Sequence, residues 1–544
     1  MNGQGVLAET ASFMSQSVKA RSEPGSLRQG ESDRRRRFTW VLEGAPDATR
    51  SRWPEWGTLF LYAALVAFAI PYHEPWVDEA QAWQLARNLS LPSLFKTYIR
   101  YEGSPGLWHF LLWIMIRIHV SYAGLHWICG AIATAATGLL LFRSPLPRYL
   151  KLSLPFTYFF LFQYAIVARN YVLAPLLLFL AAMAWKKSPL GLALALGLLA
   201  NVSLHAAVIS GGLALVYAIE QIRSGKGKSL QERSIQRRRK FLLCALLLLG
   251  FYAFAIWTAW PPRDLILSSI RGQSSIYLLR AVYSLLWPTC QPWIVSIPFW
   301  TAMVLWFHAR HKLYYLLPVV LFAVFSGEVS VTWWHAGLVI PLLTCLLWIT
   351  WREPGTTTRE LEAAGRIAMV VLIATQILWS GYAILYDHYH AYSPDPAAAQ
   401  FLRPFVREHA TIAVTFISGA NDKRVRAYPA VGILPYFDHN IFANMPYPFW
   451  WWSDQDSTED RFEALLPSHP SIVLVEETHR RPVASTDLDK PKYEALMKDG
   501  FRFVNSFCGS QPSQLEPGET LCHVVFEYSG EPGSASPPEQ GQLK

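Results

Sequence analysis

Four stretches of this chain run almost without charge for close to the thickness of a membrane, and nothing else in the sequence limits its fold as strongly. They are GTLFLYAALVAFAIPY (57–72), FLLCALLLLGFYAFAIW (241–257), IVSIPFWTAMVLWF (294–307) and RIAMVVLIATQILWSGYAILY (366–386). A helix needs about 20 mostly apolar residues to cross roughly 30 Å of hydrocarbon. Further apolar runs at 105–118, 122–142, 152–168, 170–185, 188–220 and 313–351 extend the pattern. Charged residues make up 16% of the chain, against roughly 25% in an average soluble domain. The 23 tryptophans suit many membrane–water boundaries, where the amphipathic indole sits best. The expected fold is a polytopic α-helical membrane protein of about eleven to thirteen spans, with a small C-terminal α/β domain outside the membrane.

The net charge of +9 does not point to nucleic acid. Much of it lies in the N-terminal tail, with Arg34 to Arg37, and in the stretch 223–240. Neither stretch interleaves aromatic residues as a nucleic-acid surface would. Both read as cytoplasmic under the positive-inside rule. Residues 1–56 are expected to be a disordered basic cytoplasmic tail, and 57–386 a membrane domain whose first outer loop is 73–104. No apolar segment directly follows the arginines, so the first span reads as an uncleaved anchor. One conflict stands. If every apolar run between 105 and 187 crosses, Arg143, Arg148, Lys151, Lys186 and Lys187 fall on the outer side, against the rule. One run is therefore expected to be re-entrant, interfacial or fused with its neighbour.

Residues 387–530 have the composition of a soluble domain. Helix-like stretches (397–409, EDRFEALL, YEALMKDG) alternate with β-like runs at 411–417, 471–477, 501–507 and 521–528. That alternation predicts a small α/β domain, outside because the last span exits there. Cys508 and Cys522 sit at facing ends of two β-like runs. In an oxidising compartment they bridge a hairpin; otherwise they are two free thiols. Cys129, Cys244, Cys290 and Cys345 lie in or near apolar runs and read as packing residues. Residues 531–544 are low in complexity and expected to be disordered.

The segment YHEPWVDEAQAW (72–83) places Glu74, Asp78 and Glu79 at the edge of the first span. A solvated loop would carry acids at little cost. The prolines that fold the loop back on the membrane, and Arg87, Arg100, Glu102 and His109 close behind, favour a functional reading. Adjacent helical residues point about 100° apart. One of Asp78 and Glu79 is thus expected to carry chemistry and the other a support or metal role.

The stretch HEPWVDEAQAWQLARNLSLPSLFKTYIRYEGSPGLWH (73–109) resembles the first outer loop of the GT-C class of polyprenyl-phosphate-sugar-dependent glycosyltransferases. Within that class it is similar to the bacterial membrane family related to protein O-mannosyltransferases and aminoarabinose transferases. The resemblance implies a catalytic acid just after the first span, matched by Asp78 with Glu79 beside it. Pro105 matches a His-Pro pair of the family, while Ser104 stands where its His is usual; His109 follows a turn later. VARNYVLAPLL (167–177) resembles the family's Ala-Arg-x-Tyr stretch through Arg169 and Tyr171.

The chemistry implied is transfer of a sugar from a lipid-linked phosphate donor to an acceptor hydroxyl, with inversion, at the outer face of what reads as a bacterial inner membrane. Asp78 is the expected general base. Arg169, Arg263 and Arg271 are candidates for the phosphate, since arginine matches its oxygens in a fork. Glu102, Tyr171 and His109 are further substrate-site candidates. No cofactor is specified by the residues, and a divalent metal on Asp78, Glu79 or Glu102 is an option that no ligand spacing demands. The expected partners are the lipid-linked donor and membrane lipids, and no nucleic acid. His205, His335 with Glu328, and the Trp450–Trp452 triplet are weaker candidates with ordinary packing or solvated-turn alternatives. Two other readings compete: a transporter or lipid flippase, and a polysaccharide polymerase or ligase. The chain shows no internal repeat of the kind transporters carry. The stretch 261–290 is short for a polymerase's large late outer loop.

Overall fold

The computed structural model describes residues 51–224, 235–265, 277–290, 293–329, 332–351, 359–417, 429–453, 458–479, 490–512 and 520–530. The greater part of the expected N-terminal tail, the tail 531–544, Arg271 and much of the basic stretch 223–240 lie outside the described residues.

Helices dominate the first three quarters of the chain. Helix α1 (Trp53–Ala69) starts inside the expected tail, with Pro54 in its first turn, where a missing N–H costs nothing. The outer loop forms α2 (Val77–Asn88) and leads to α3 (Leu107–Arg117) and α4 (Tyr122–Arg143). Then come α5 (Leu173–Ala184), α6 (Pro189–Ala200), α7 (Leu204–Ser224), α8 (Ile235–Ala259), α9 (Tyr277–Cys290), α10 (Trp293–Ala309) and α11 (Leu317–Glu328). A turn at Trp333–Ala336 runs into α12 (Val339–Thr350), and α13 (Arg359–Tyr389) closes the bundle.

Five of these are long and apolar enough to cross a membrane, or six if α9 and α10 form one bent span. They are Tyr122–Arg143, Leu204–Arg223, Arg239–Ala259, Trp333–Thr350 and Ala363–Tyr389. Their outward faces are apolar: Leu242, Leu243, Leu246 and Leu249 on α8 and Ile367, Val370, Leu378 and Leu385 on α13 are all exposed, as lipid contact requires. The expected eleven to thirteen spans are not met by full-length helices. Several apolar runs fold as shorter helices, among them Leu107–Arg117, Asn170–Ala184, Pro189–Ala200 and Leu313–Glu328. The reason is local. Asn201 to Ser203 split 188–220 into two pieces, and Pro155 falls early in 152–168.

The run 152–168 is no span at all. It passes through a short 3₁₀ turn (Leu154–Phe156) and a single π turn (Phe159–Gln163) into irregular backbone up to Arg169. Almost all of it is buried, which is where non-helical backbone is tolerated at membrane depth. This removes one crossing from the disputed stretch. Arg148 Nε and Lys151 Nζ then lie 2.9 and 3.4 Å from Glu55 Oε1, at the end of the bundle where α1 begins. The candidate site lies at the opposite end, beyond the C-terminus of α1.

The C-terminal region forms a four-stranded sheet from β1 (Ile412–Ile417), β2 (Ile472–His479), β3 (Phe501–Ser510) and β4 (Thr520–Tyr528), in the order β1-β2-β4-β3. β1 and β2 are parallel, and the β2–β4 and β4–β3 pairs are antiparallel. Helices α14 (Asp395–Arg407), α15 (Thr458–Leu465) and α16 (Pro491–Lys498) complete it. Alternate residues of a strand face opposite sides. Here Ala413, Val473, Val475, Val524 and Phe526 pack with Phe462, Tyr493 and Leu496 on one side. Ile412, Val414, Ile472, Leu474 and Val525 on the other side join the core that continues into the helical bundle. A disulfide links Cys508 to Cys522, which are register partners across β3 and β4.

Candidate active site

The site is built on the N-terminal turn of α2. Glu79 Oε1 accepts from the Trp76 N–H at 3.2 Å, fixing the start of the helix. Glu79 then turns inward and is fully buried. Its Oε2 accepts the Ala168 N–H at 2.6 Å and lies 2.9 Å from His126 Nε2, while Oε1 is 3.4 Å from His73 Nε2. His73 Nδ1 in turn meets Asp387 at 3.1 Å, near the end of α13. One carboxylate therefore ties the outer loop to α4, to the irregular 164–169 backbone and, through His73, to the last long helix. Burial alone would raise the Glu79 pKa, but His126 and His73 hold it well below the usual carboxylate range. Burial would lower that of His73, yet Asp387 and Glu79 outweigh it and raise it to about 10.

Asp78 points the other way, as the 100° step between helical neighbours demands. It is part-exposed and, among the described residues, pairs with Arg169 Nη2 at 2.8 Å. Arg169 is placed there because the Glu79–Ala168 bond holds the preceding residue. Its guanidinium lies 4.8 Å from the Trp334 ring centre, 5.3 Å from Tyr171 and 5.6 Å from Trp76, a cage of the kind cations favour. Its second nitrogen, Nη1, is buried and has no hydrogen-bond partner among the described residues. Behind Tyr171, the rings of His335 and His205 stack at 4.4 Å, and His205 Nε2 is also buried and unpartnered. Buried donors left unpaired are rare and costly, and each calls for an explanation. The free Nη1 of Arg169 fits an anion that it would hydrogen-bond.

Glu102 lies on the same side. It accepts from Gln81 Nε2 at 2.8 Å and from the Trp452 indole. Burial, opposed by the Gln81 bond and reinforced by the nearby Asp78 charge, pushes its pKa up to about 7. The tryptophan triplet of the C-terminal region roofs this corner. The Trp450 N–H donates to Gln81 Oε1 at 2.8 Å, Gln81 donates back to the Trp450 carbonyl at 3.1 Å, and Ser453 donates to Asp264, which also accepts from Tyr101. The triplet is thus a docking segment over the outer loop.

Of the residues expected from sequence, Asp78, Arg169 and Tyr171 come together, with Glu102 close to Asp78. Arg263 is exposed in the turn before Asp264 and makes no ion pair with Asp78. His109 is buried in α3 with both ring nitrogens unpartnered, apart from the acids. Glu328 is exposed at the end of α11. The metal set drawn from Asp78, Glu79 and Glu102 does not converge. The group whose ligand atoms do lie within 4.8 Å of one another is His73, Glu79 and His126. Sequence reasoning missed His73, His126, Asp387 and the Trp76–Trp334 cage. The usable signal was an ionisable residue inside the apolar run 122–142, which marks His126 as a functional suspect by default, whereas Asp387 lies just past the end of 366–386. Comparisons of the chain with protein families, with curated proteins and with solved structures find no match.

Proposed function

We propose that this protein is a membrane glycosyltransferase that moves a sugar from a polyprenyl-phosphate donor to an acceptor hydroxyl, with Asp78 as general base. The observation that carries the reading is the Asp78–Arg169 ion pair, together with two buried nitrogens, Arg169 Nη1 and His205 Nε2, that have no hydrogen-bond partner among the described residues. An acid for the acceptor and cations for the departing phosphate are the two needs of this reaction.

In the proposed step the acceptor oxygen attacks the anomeric carbon from the face opposite the phosphate. Asp78 takes the hydroxyl proton as the new C–O bond forms. The bond from that carbon to the phosphate oxygen breaks, and its electron pair stays on the lipid phosphate. Arg169 is suited to hold that phosphate, because its fork reaches Asp78 with one nitrogen and leaves the other free. Attack from the opposite face inverts the anomeric centre. The exposed apolar faces of α8 and α13 suit a donor embedded in the leaflet, and the C-terminal domain would lie outside. The resemblance of 73–109 and 167–177 to GT-C enzymes supports the same reading.

The test is transfer from a panel of radiolabelled polyprenyl-phosphate sugars in membranes holding native protein or Asp78→Asn at equal abundance. Transfer or donor hydrolysis by the native protein, lost in the variant, is the expected result and names the sugar. Activity that survives the substitution would remove Asp78 as the base.

A further inference from the structure

The buried cluster behind Asp78 has the composition and spacing of a metal site. His73 Nε2, His126 Nε2 and the Glu79 carboxylate come from three separate elements: the loop after α1, the helix α4 and the first turn of α2. Zinc sites with two histidines and one glutamate keep their ligands about 2.0–2.2 Å from the ion, which sets neighbouring ligand atoms roughly 3.3 Å apart. His73 Nε2 lies 3.4 Å from Glu79 Oε1 and His126 Nε2 2.9 Å from Glu79 Oε2, near that value, and the ligand atoms of all three residues lie within 4.8 Å of one another. The ligand atoms therefore surround a point that a small cation could take with little side-chain movement.

The surroundings support this. Metal-bound histidines nearly always donate their other ring N–H to a carboxylate or carbonyl, which fixes the tautomer. His73 does so already, with Nδ1 3.1 Å from Asp387. Charge balance agrees. Two buried carboxylates, Glu79 and Asp387, face two imidazoles. A divalent ion held by two neutral imidazoles would balance the two carboxylates. An open cleft of about 530 Å³ borders one side of the group, lined by His73 and Asp387 together with Pro71, Glu74, His388 and His390.

We infer that His73, Glu79 and His126 bind one divalent transition-metal ion, best matched by Zn²⁺, with Asp387 as the outer-sphere partner of His73. Nitrogen and carboxylate donors in this ratio suit zinc rather than calcium or magnesium, which take oxygen ligands. The ion would lock the outer loop to α4 and α13. It would sit behind Glu79, on the far side of α2 from Asp78, and so position the base rather than contact substrate. The inference does not depend on the transfer reaction, since its test reads metal and not turnover.

The experiment is metal analysis by mass spectrometry of the full chain in detergent, stripped with a chelator, exposed to Zn²⁺ and desalted. A parallel sample is loaded with Co²⁺ and read by visible absorption. The expected result is about one zinc per chain, and Co²⁺ bands of a low-coordinate N/O site. His126→Ala should reduce zinc to background, and Glu102→Gln should retain it. The Co²⁺ spectrum of the native protein keeps the test decisive if His126→Ala fails to fold. Native protein holding less than about a tenth of an equivalent of zinc, with no Co²⁺ bands, would overturn the inference and leave a proton-bridged network. Zinc retained at the native level by folded His126→Ala would also overturn it.

Discussion

Asp78 and Glu79 are neighbours that act in opposite directions. Glu79 is spent on structure, held by two backbone N–H groups and beside two histidines, whereas Asp78 is part-exposed and pairs with Arg169. Arg169 is the residue through which binding should be read. Arg169→Lys retains the charge but loses the fork. We expect the donor KM to rise by roughly 10-fold or more, about 1.4 kcal/mol, with a smaller change in kcat, measured by initial rates against donor concentration. Glu102 sets a pH dependence. With its pKa near 7 it is largely neutral at pH 6 and largely anionic at pH 8. A donor phosphodiester keeps its single charge over that range. The anion that forms beside Asp78 and Arg169 should weaken phosphate binding, so KM is expected to rise with pH through about 7. Glu102→Gln should flatten that rise; an unchanged profile would show that Glu102 does not act on the donor.

At the scale of elements, the C-terminal sheet is tied down at named points. Gly509 on β3 packs so closely on the 391–395 connection that an added Cβ would lie 2.5–2.7 Å from the Ser393 backbone. Next to it the Ser510 N–H donates to the Ala391 carbonyl at 2.8 Å. Gly509→Ala should therefore cost about 1–3 kcal/mol, as overpacking does, seen as a lower melting temperature of the purified protein. Cys508 and Cys522 close a 14-residue separation. Replacing both by serine should remove about 3 kcal/mol from the C-terminal domain, and reduction of the native protein should do the same; no shift in either case would contradict this. These strands were legible because short, valine-rich apolar runs such as SIVLVEE and LCHVVFEY alternate with helix patterns. The helical part was legible in kind but not in count. Length and hydropathy do not reveal that 152–168 breaks into 3₁₀, π and irregular backbone, since its residues are as apolar as a span. Asp78, Arg169 and Tyr171 were reachable from local motifs. The partnership of Glu79 with His73, His126 and Asp387 was not, because it joins residues up to 314 positions apart that no spacing rule connects.

For the whole molecule, the helical bundle and the 429–453 segment of the C-terminal region enclose one corner between them. The bundle supplies Arg169, Tyr171, His205, His335 and Trp334, and the C-terminal region covers Glu102 and Gln81 through Trp450 and Trp452. Gln81→Leu would break both bonds to Trp450 and the bond to Glu102, while removing no contact between Asp78 and Arg169. It should raise KM more than it lowers kcat, and should make the 429–453 segment easier to cleave in limited proteolysis. The central claim is that Asp78 performs chemistry at a site where Arg169 binds a lipid phosphate. Its most direct test compares binding and turnover in one variant: donor affinity by native mass spectrometry and single-turnover transfer, for native protein and Asp78→Asn. The account predicts affinity within a few fold of native, with transfer slowed by about 10²–10⁴-fold, the usual contribution of a positioned base. Transfer at the native rate, or loss of donor binding together with transfer, would contradict it.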